Sequence, residues 1–190
     1  MNLRDLKINR GATLFLDRDG VINKRLVGDY VKKWNDFEFL PGVLDAFATF
    51  SSYFDKIFIV TNQQGIGKGL MTEADLQQIH HQMIFEIEKA GGRIDGIYFC
   101  PDLKDSHSFM RKPNIGMALK AKKDFPMINF KNSVMVGDSV SDMLFGKRVK
   151  MITVLISHNV LVSRQYPLLV DLRFPDLKAF SESIDSRSTI

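Results

Sequence analysis

The chain has 190 residues, 45% of them hydrophobic, which is enough apolar material for one domain with a substantial core. No apolar stretch reaches the roughly 20 residues that a membrane-spanning helix needs, so we expect a cytoplasmic protein with no membrane partner. The net charge of +4 comes from basic residues scattered among 22 acidic ones, which argues against a nucleic-acid partner.

Short apolar runs alternate with longer segments of helical period along the chain. This alternation is typical of strands joined by crossover helices, and it predicts an α/β domain with a central parallel sheet and helices on both faces. The runs are rich in aliphatic and aromatic residues, as strands buried on both faces are. We predict strands at residues 12–16, 56–60, 96–100, 133–136 and 151–156.

The segments between these runs predict helices. Residues 42–50 place their apolar side chains on one helical stripe, directly after a Pro-Gly turn signal. Thr72 with Asp75 three residues later resembles a capping box, so we predict a second helix from Thr72 that stops at residues 91–92, which are both Gly.

Two further helices are predicted in the second half of the chain. One begins at Pro113, because proline suits the first helical position, where its missing amide hydrogen would be unpaired anyway. A short one covers residues 142–147. The polar stretch 181–190 has no period, so we predict one domain over 1–190 with a core at about 12–180 and a frayed tail.

Acidic and hydroxyl side chains follow several predicted strands. Asp17 and Asp19 follow the first strand, Thr61 follows the second, and Asp138 and Asp142 follow the fourth. Carboxyl ends of parallel strands share one edge of a sheet, which is where ligands bind in open α/β folds. Converging carboxylates repel, and an all-oxygen ligand set favours a hard divalent cation, so we predict a Mg²⁺ site here.

The pair Asp17 and Asp19 suggests a division of work. An ionised Asp17 at the metal is a competent nucleophile for phosphorus. Asp19 is displaced from it by the turn that Gly20 allows, so it could donate a proton and later activate water.

Four motifs in order resemble those of the haloacid dehalogenase superfamily of phosphatases. They are Phe-Leu-Asp-Arg-Asp-Gly-Val-Ile-Asn at 15–23, the run around Thr61 at 60–67, Arg-Lys-Pro at 111–113 and Gly-Asp-Ser-Val-Ser-Asp-Met at 137–143. The resemblance covers about 12–156 and implies a three-layer, Rossmann-like fold. The short stretch 24–41 leaves no room for a large cap domain.

The resemblance also implies roles for single residues. By it, Asp17 is the nucleophile and Asp19 the acid and base, while Thr61 and Lys112 bind the transferring phosphoryl group. Asp138 completes a metal site with Asp17 and Asp19.

By the resemblance to the superfamily, Asp142 is similar to the residue that orients metal-bound water. Three segments more closely resemble the branch that contains D-glycero-D-manno-heptose 1,7-bisphosphate phosphatase and histidinol phosphatase. They are Asn-Gln-Gln-Gly-Ile-Gly-Lys-Gly at 62–69, Phe-Glu-Phe-Leu-Pro-Gly at 37–42 and Arg-Lys-Pro at 111–113. In this branch Asn62, Lys68 and Arg111 would be expected to bind the substrate.

One segment departs from the branch, whose members typically carry a zinc loop of three cysteines and one histidine before Arg-Lys-Pro. Here Cys100 is the single cysteine, and residues 108–110 are Ser, Phe and Met. His107 does not restore the site, because structural zinc takes four ligands. We therefore expect no structural zinc and read Cys100 as a small core residue.

The sequence leaves open the roles of two groups of side chains, a pair of histidines and three aromatic residues. His80 and His81 lie on a predicted helix away from any motif, which favours a solvated or packing role over catalysis. Trp34, Phe37 and Phe39 could pack beneath a loop or line the site.

The first hypothesis for function is a Mg²⁺-dependent phosphatase that acts on a small phosphorylated sugar through an aspartyl-phosphate intermediate. Heptose 1,7-bisphosphate, losing its 7-phosphate, is favoured. The alternatives are a histidinol-phosphate phosphatase, a polynucleotide 3'-phosphatase, which should show a continuous basic track, and a non-catalytic binding protein of the same fold. We expect a monomer or a weak homo-oligomer.

Overall fold

The computed structural model describes residues 8–9 and 11–185, and it contains one six-stranded, fully parallel sheet. Its strands are β1 (Thr13–Leu16), β2 (Lys56–Asn62), β3 (Gly96–Cys100), β4 (Ser133–Gly137), β5 (Ile152–Ile156) and β6 (Leu172–Phe174). Their order in the sheet is β3-β2-β1-β4-β5-β6. The strands predicted from the apolar runs are confirmed as β1 to β5.

Helices cover both faces of this sheet. They are α1 (Val43–Tyr53), α2 (Gln64–Gly67), α3 (Glu73–Lys89), α4 (Gly116–Asp124), α5 (Val140–Arg148), α6 (Leu161–Gln165) and α7 (Leu177–Asp185). Side chains of α1, α3 and α7 pack in the core of one face, and those of α4 and α5 in the core of the other. The predicted three-layer α/β fold is confirmed. No helix in the described ranges is long and apolar enough to cross a membrane.

Strand β1 shows why the apolar runs are continuous. Leu14 and Leu16 lie in the core beneath α1, whereas Phe15 points to the opposite core beneath α4. Successive strand side chains alternate between faces, so a strand covered by helices on both faces must be apolar at every position. Leu14 pairs with Ile57 on one side and Val134 on the other, which places β1 at the centre of the sheet.

The start of α3 confirms the predicted capping box. The Thr72 hydroxyl accepts a hydrogen bond from the Asp75 amide at 3.1 Å, and the Asp75 carboxylate accepts one from the Thr72 amide at 2.8 Å. Both bonds satisfy amide groups that a helix start leaves unpaired.

The prediction of a helix start at Pro113 is wrong, because α4 begins at Gly116. The reason is a contact distant in sequence. The Asn62 amide group donates to the Lys112 carbonyl at 3.1 Å, and the Lys112 amide donates to the Asn62 Oδ1 at 3.0 Å. A backbone unit held on both sides by one side chain stays outside the helix, and the Lys112-Pro113 bond is cis.

The prediction of a frayed tail from residue 181 is also wrong for its first part, since α7 continues to Asp185. Leu177, Phe180 and Ile184 form a buried stripe on that helix. Phe180 packs against Phe50 of α1 and Phe174 of β6, with ring centroids 5.5 and 5.3 Å apart. The core therefore extends past residue 180. Residues 186–190 of the predicted tail lie outside the described residues.

We predict that Phe180→Ala lowers the free energy of unfolding by about 3–5 kcal/mol, the usual loss for a fully buried phenylalanine. Phe85→Ala on the exposed side of α3 is the matched control and should change it by less than about 0.5 kcal/mol. Urea denaturation followed by circular dichroism measures both. Similar small losses for the two variants would mean that α7 does not belong to the core.

Candidate active site

The predicted site residues gather at the carboxyl edge of the sheet, around one cavity of about 450 Å³. Those that line it are Asp17, Asp19, Asn62, Lys68, Arg111, Lys112 and Asp142. Thr61 is fully buried beside the cavity floor, and Asp138 lies next to Arg25 at its rim. Residues separated by more than a hundred positions in sequence therefore share one site.

Three carboxylates form the floor of this site. One oxygen each from Asp17, Asp138 and Asp142 lies within 4.8 Å of the other two. Asp17 and Asp142 are buried, and the Asp138 side chain is 17% exposed. Burial raises the pKa of Asp17 to about 6, against the opposing charge of Lys112. Burial and the charge of Asp17 raise the pKa of Asp138 to about 7.

Two glycines permit this close approach. A Cβ atom on Gly137 would lie 2.2 Å from the Cβ of Asp142, and one on Gly20 would lie 2.1 Å from Oδ2 of Asp138. Gly20 also has a φ of +92°, a region that side-chain-bearing residues rarely adopt. Glycine at both positions is therefore required for the carboxylates to converge.

Lys112 supplies a buried positive charge between two of the aspartates. Its Nζ lies 2.8 Å from Oδ1 of Asp17 and 2.7 Å from Oδ1 of Asp142, and it donates to the Val60 carbonyl at 2.6 Å. Burial alone would lower the pKa of Lys112, but the charges of Asp142 and Asp17 outweigh it and raise the pKa. Lys112 is therefore held in its charged form.

Arg25 brings a second cation to the cluster. Its Nη2 donates to Oδ1 of Asp138 and to the main-chain carbonyl of Asp19, both at 2.8 Å, and lies 3.7 Å from Oδ2 of Asp17. One positive nitrogen is thus surrounded by three oxygen atoms from separate residues. These oxygens are spaced to favour a cation.

The donor set fits a hard divalent cation. All of its atoms are oxygens, and Oδ1 of Asp142 is buried with the Lys112 ammonium, 2.7 Å away, as its ion-pair partner. The cluster of carboxylates differs from the ligands that the sequence resemblance implies, which are Asp17, Asp19 and Asp138. Asp142 lies in the cluster, whereas Asp19 turns its carbonyl toward the cluster and its carboxylate away.

The Asp19 carboxylate sits in a separate ring of donors. Arg18 Nη2 donates to both of its oxygens at 3.0 and 3.1 Å, Asn23 donates to Oδ1 at 3.0 Å, and Gln63 donates to Oδ2 at 2.8 Å. Burial would raise the pKa of Asp19, but the charge of Arg18 and these hydrogen bonds lower it below its usual value. Two aspartates two residues apart therefore have opposite electrostatic environments.

His80 lies behind this ring of donors and is not among the site residues predicted from sequence. His80 is 7% exposed, and its Nε2 lies 3.2 Å from Nη1 of Arg18, which is itself 1% exposed. The prediction that His80 lies away from every motif is wrong, while its neighbour His81 is exposed. The available signal was a polar side chain on the buried stripe of α3, which otherwise consists of Leu76, Ile79, Met83 and Ile87.

The remaining predicted residues divide between the floor and the far side of the cavity. The Thr61 hydroxyl accepts a hydrogen bond from Gln63 at 2.8 Å, beside the ring around Asp19. On the far side, Lys68 Nζ lies 5.3 Å from the centre of the Tyr30 ring. Arg111 donates to the Asp102 carbonyl at 2.9 Å, so the structure brings a second pair of positive charges to the cavity.

The three aromatic residues whose role the sequence leaves open are partly buried and pack against the core. Trp34 stacks on Phe37 with ring centroids 4.9 Å apart, Phe39 meets both rings edge-on, and all three pack against core clusters. Cys100 is fully buried in the core beneath α4, which confirms its reading as a small core residue. Its Sγ lies 3.5 Å from the carboxylate of Asp102.

The parallel sheet and the site at its carboxyl edge are those of the haloacid dehalogenase (HAD) superfamily of phosphatases, in agreement with the similarity to a HAD-like phosphatase structure from Mesorhizobium loti, which has a TM-score of 0.74 at 25% identity and covers 93% of this chain and 87% of that one. Within that class the chain belongs to the polynucleotide kinase 3 phosphatase family, whose model matches residues 13–165.

Individual relatives agree with this placement. A D-glycero-alpha-D-manno-heptose-1,7-bisphosphate 7-phosphatase of Mycobacterium bovis is 42% identical over 130 residues, 68% of each chain. A D-glycero-beta-D-manno-heptose-1,7-bisphosphate 7-phosphatase of Helicobacter pylori is 35% identical over 94% of this chain and 98% of its own. The crystal structure of D,D-heptose 1,7-bisphosphate phosphatase from B. bronchiseptica, complexed with magnesium and phosphate, superposes with a TM-score of 0.81 at 27% identity, covering 93% of this chain and 99% of that one.

We predict that Mg²⁺ raises the melting temperature more at about pH 8 than at about pH 5. The folded state holds protons on Asp17 and Asp138 up to pKa values of about 6 and 7, above those of the unfolded chain. Stability of the metal-free protein therefore falls as pH rises through that interval, and a bound cation offsets the loss. Scanning fluorimetry with and without Mg²⁺ measures the shift, and Asp138→Asn should reduce it. An equal shift at both pH values would contradict the prediction.

Proposed function

We propose that this protein is a Mg²⁺-dependent phosphatase that removes a phosphate from a small sugar phosphate through a phosphoaspartate on Asp17. The observation that carries the proposal is the buried carboxylate of Asp17, which belongs to the acidic cluster and contacts Lys112, at the floor of a cavity whose far side is basic. A carboxylate in this setting faces any phosphoryl group that enters the cavity.

The two oxygens of Asp17 differ in their contacts. Oδ1 accepts a hydrogen bond from the Arg18 amide at 2.8 Å and contacts Lys112 at 2.8 Å, which orients the carboxylate. Asp17, Asp138 and Asp142, with the Asp19 carbonyl, would hold Mg²⁺. When bound, the ion supplies positive charge that offsets the negative charge of the transferring phosphoryl oxygens. Lys112 and Thr61 are the types of side chain that share this task.

Asp19 is the proposed acid and base. Its own environment lowers its pKa, but an incoming phosphate dianion adds nearby negative charge and raises the pKa, so the carboxyl gains a proton. The bond between Asp17 and phosphorus then forms as the bond from phosphorus to the sugar oxygen breaks, and Asp19 protonates that oxygen. In the second step water attacks phosphorus, Asp19 takes the proton, and Asp17 is released with free phosphate.

The substrate proposed is D-glycero-D-manno-heptose 1,7-bisphosphate, with its 7-phosphate removed. Lys68 and Arg111 line the cavity together with the reacting residues, and they are suited to a second phosphate on the same molecule. Asn62 lines the same cavity and is held by the backbone of Lys112. Relatives that act on each anomer are similar to this chain, so the proposal covers both anomers.

A second candidate is a polynucleotide 3'-phosphatase, which the description of the matching family favours. The same floor chemistry would serve, because it acts on the phosphate alone. The two candidates differ in what binds the rest of the substrate. A polynucleotide needs a basic track beyond the cavity, whereas a bisphosphate needs the compact pair Lys68 and Arg111.

We predict that Asp17→Asn abolishes phosphate release while leaving the fold intact, because the amide oxygen is a poor nucleophile of nearly the same shape. Loss by at least about 10³-fold in kcat is expected, as for other nucleophile removals. Phosphate release and far-UV circular dichroism measure activity and fold. Turnover near wild type in the folded variant would refute the role of Asp17.

A phosphate-release screen with Mg²⁺ tests the substrate. We predict that the preferred anomer of heptose 1,7-bisphosphate has a kcat/KM about tenfold or more above those of histidinol phosphate, hexose phosphates and 3'-phosphorylated DNA. A tenfold difference is about 1.4 kcal/mol of transition-state discrimination. Lys68→Ala and Arg111→Ala should raise KM for the bisphosphate more than for a monophosphate. A preference for DNA would favour the second candidate, and no release from any compound would favour a non-catalytic binding protein.

A further inference from the structure

Arg18 lies between Asp17 and Asp19 in the sequence, and its side chain is buried. It is the largest of the fully buried side chains, at 1% exposure, and its guanidinium spans the space between β1 and α3. Nη2 holds both oxygens of Asp19 and contacts Gln63 Oε1 at 3.3 Å, while Nη1 lies 3.2 Å from Nε2 of His80. Arg18 therefore supplies two of the four hydrogen bonds that hold the Asp19 carboxylate, and Asn23 and Gln63 supply the other two.

His80 meets Arg18 as a hydrogen-bond acceptor. A guanidinium can only donate, so Nε2 must be the unprotonated nitrogen of the ring. Burial first and the neighbouring charge of Arg18 second lower the pKa of His80 to about 3, which keeps the ring neutral at physiological pH. The charged groups that face it are Arg18 and, farther away, Asp19, and His81 follows it on the helix.

We propose that His80 is a positioning residue for catalysis, which fixes Arg18 in the orientation that presents the Asp19 carboxyl to the leaving group. The inference rests on the proposed role of Asp19 as acid and base. Packing alone would not require an acceptor at this position, because the other buried side chains on this face of α3 are apolar. An acceptor is favoured because a buried guanidinium nitrogen without a partner loses the hydrogen bonds that water would give it, or shifts to find another partner.

Because His80 acts through Asp19, its effect should follow the leaving group. A sugar alkoxide is a strongly basic leaving group that needs a proton from Asp19, whereas p-nitrophenolate leaves without one. Loss of the acceptor should therefore slow hydrolysis of a sugar phosphate and largely spare hydrolysis of p-nitrophenyl phosphate. A purely structural role would affect both esters alike.

The test compares His80→Leu and His80→Ala, which remove the acceptor, with His80→Gln, whose side-chain carbonyl can accept from Arg18. His81→Leu, at the exposed neighbouring position, is the matched control, and Asp19→Asn is run in parallel. We measure kcat and KM for heptose 1,7-bisphosphate and for p-nitrophenyl phosphate, together with melting temperature.

We expect His80→Leu to lower kcat for the heptose ester by about tenfold or more, a part of the 10²–10⁴-fold that proton transfer contributes, and to lower it less than about threefold for the aryl ester. KM for both esters should change little. His80→Gln should recover most of the loss, and His81→Leu should behave as wild type. If His80→Leu does not fold, His80→Ala carries the same comparison.

Equal losses on the two esters, or failure of His80→Gln to recover activity while it folds, would overturn the inference. The comparison with Asp19→Asn separates this failure from that of the proposed function. If Asp19→Asn shows the dependence on the ester and His80→Leu does not, only the role of His80 is lost. If Asp19→Asn shows no such dependence, the acid and base role of Asp19 is lost as well.

Discussion

The crowding of negative charge at the carboxyl edge of the sheet is the constraint on which the site depends. Three carboxylate oxygens lie within 4.8 Å of one another in a largely buried setting, and each would cost several kcal/mol alone. Lys112 and Arg25 offset part of that charge, and the oxygen cluster that remains is suited to a divalent cation. Gly20 and Gly137 follow from the same constraint, because any Cβ there would collide with a carboxylate.

The pKa values of Asp17 and Asp19 are shifted in opposite directions. Burial among like charges raises the pKa of the first, while a ring of donors led by Arg18 lowers the pKa of the second. In the metal-free protein the ionised form is therefore disfavoured at Asp17 and favoured at Asp19, and a bound cation and a phosphate dianion would each oppose one of these shifts. Arg18, placed between them in sequence, donates to Asp17 through its amide and to Asp19 through its guanidinium.

The sequence predicts those parts of this molecule that depend on local pattern. Strands β1 to β5 can be predicted because burial on both faces makes each run apolar. The capping box at Thr72 can be predicted because it is a contact within one helical turn. Contacts between residues that are distant in sequence cannot be predicted from local pattern. Asn62 displaces the start of α4 by pairing with the backbone of Lys112, and β6 is too short, at Leu172–Phe174, to show a clear alternation. His80 acquires its partner only when the fold brings α3 next to Arg18, in the loop that follows β1.

The far side of the cavity is built differently from the floor. Arg111 is oriented by the Asp102 carbonyl, and the segment before it is held by hydrogen bonds from Asn114 to the Ser108 carbonyl at 2.9 Å and from the Met110 amide to Ser108 Oγ at 3.2 Å. These contacts belong to the loop that differs from the zinc-binding pattern of the branch. Asp17 and Asp138 instead directly follow β1 and β4, which pair with each other in the sheet. In the proposed function, substrate preference and phosphoryl chemistry would therefore rest on separate elements, and a change in this loop would alter which phosphate ester is bound without disturbing Asp17 or Lys112.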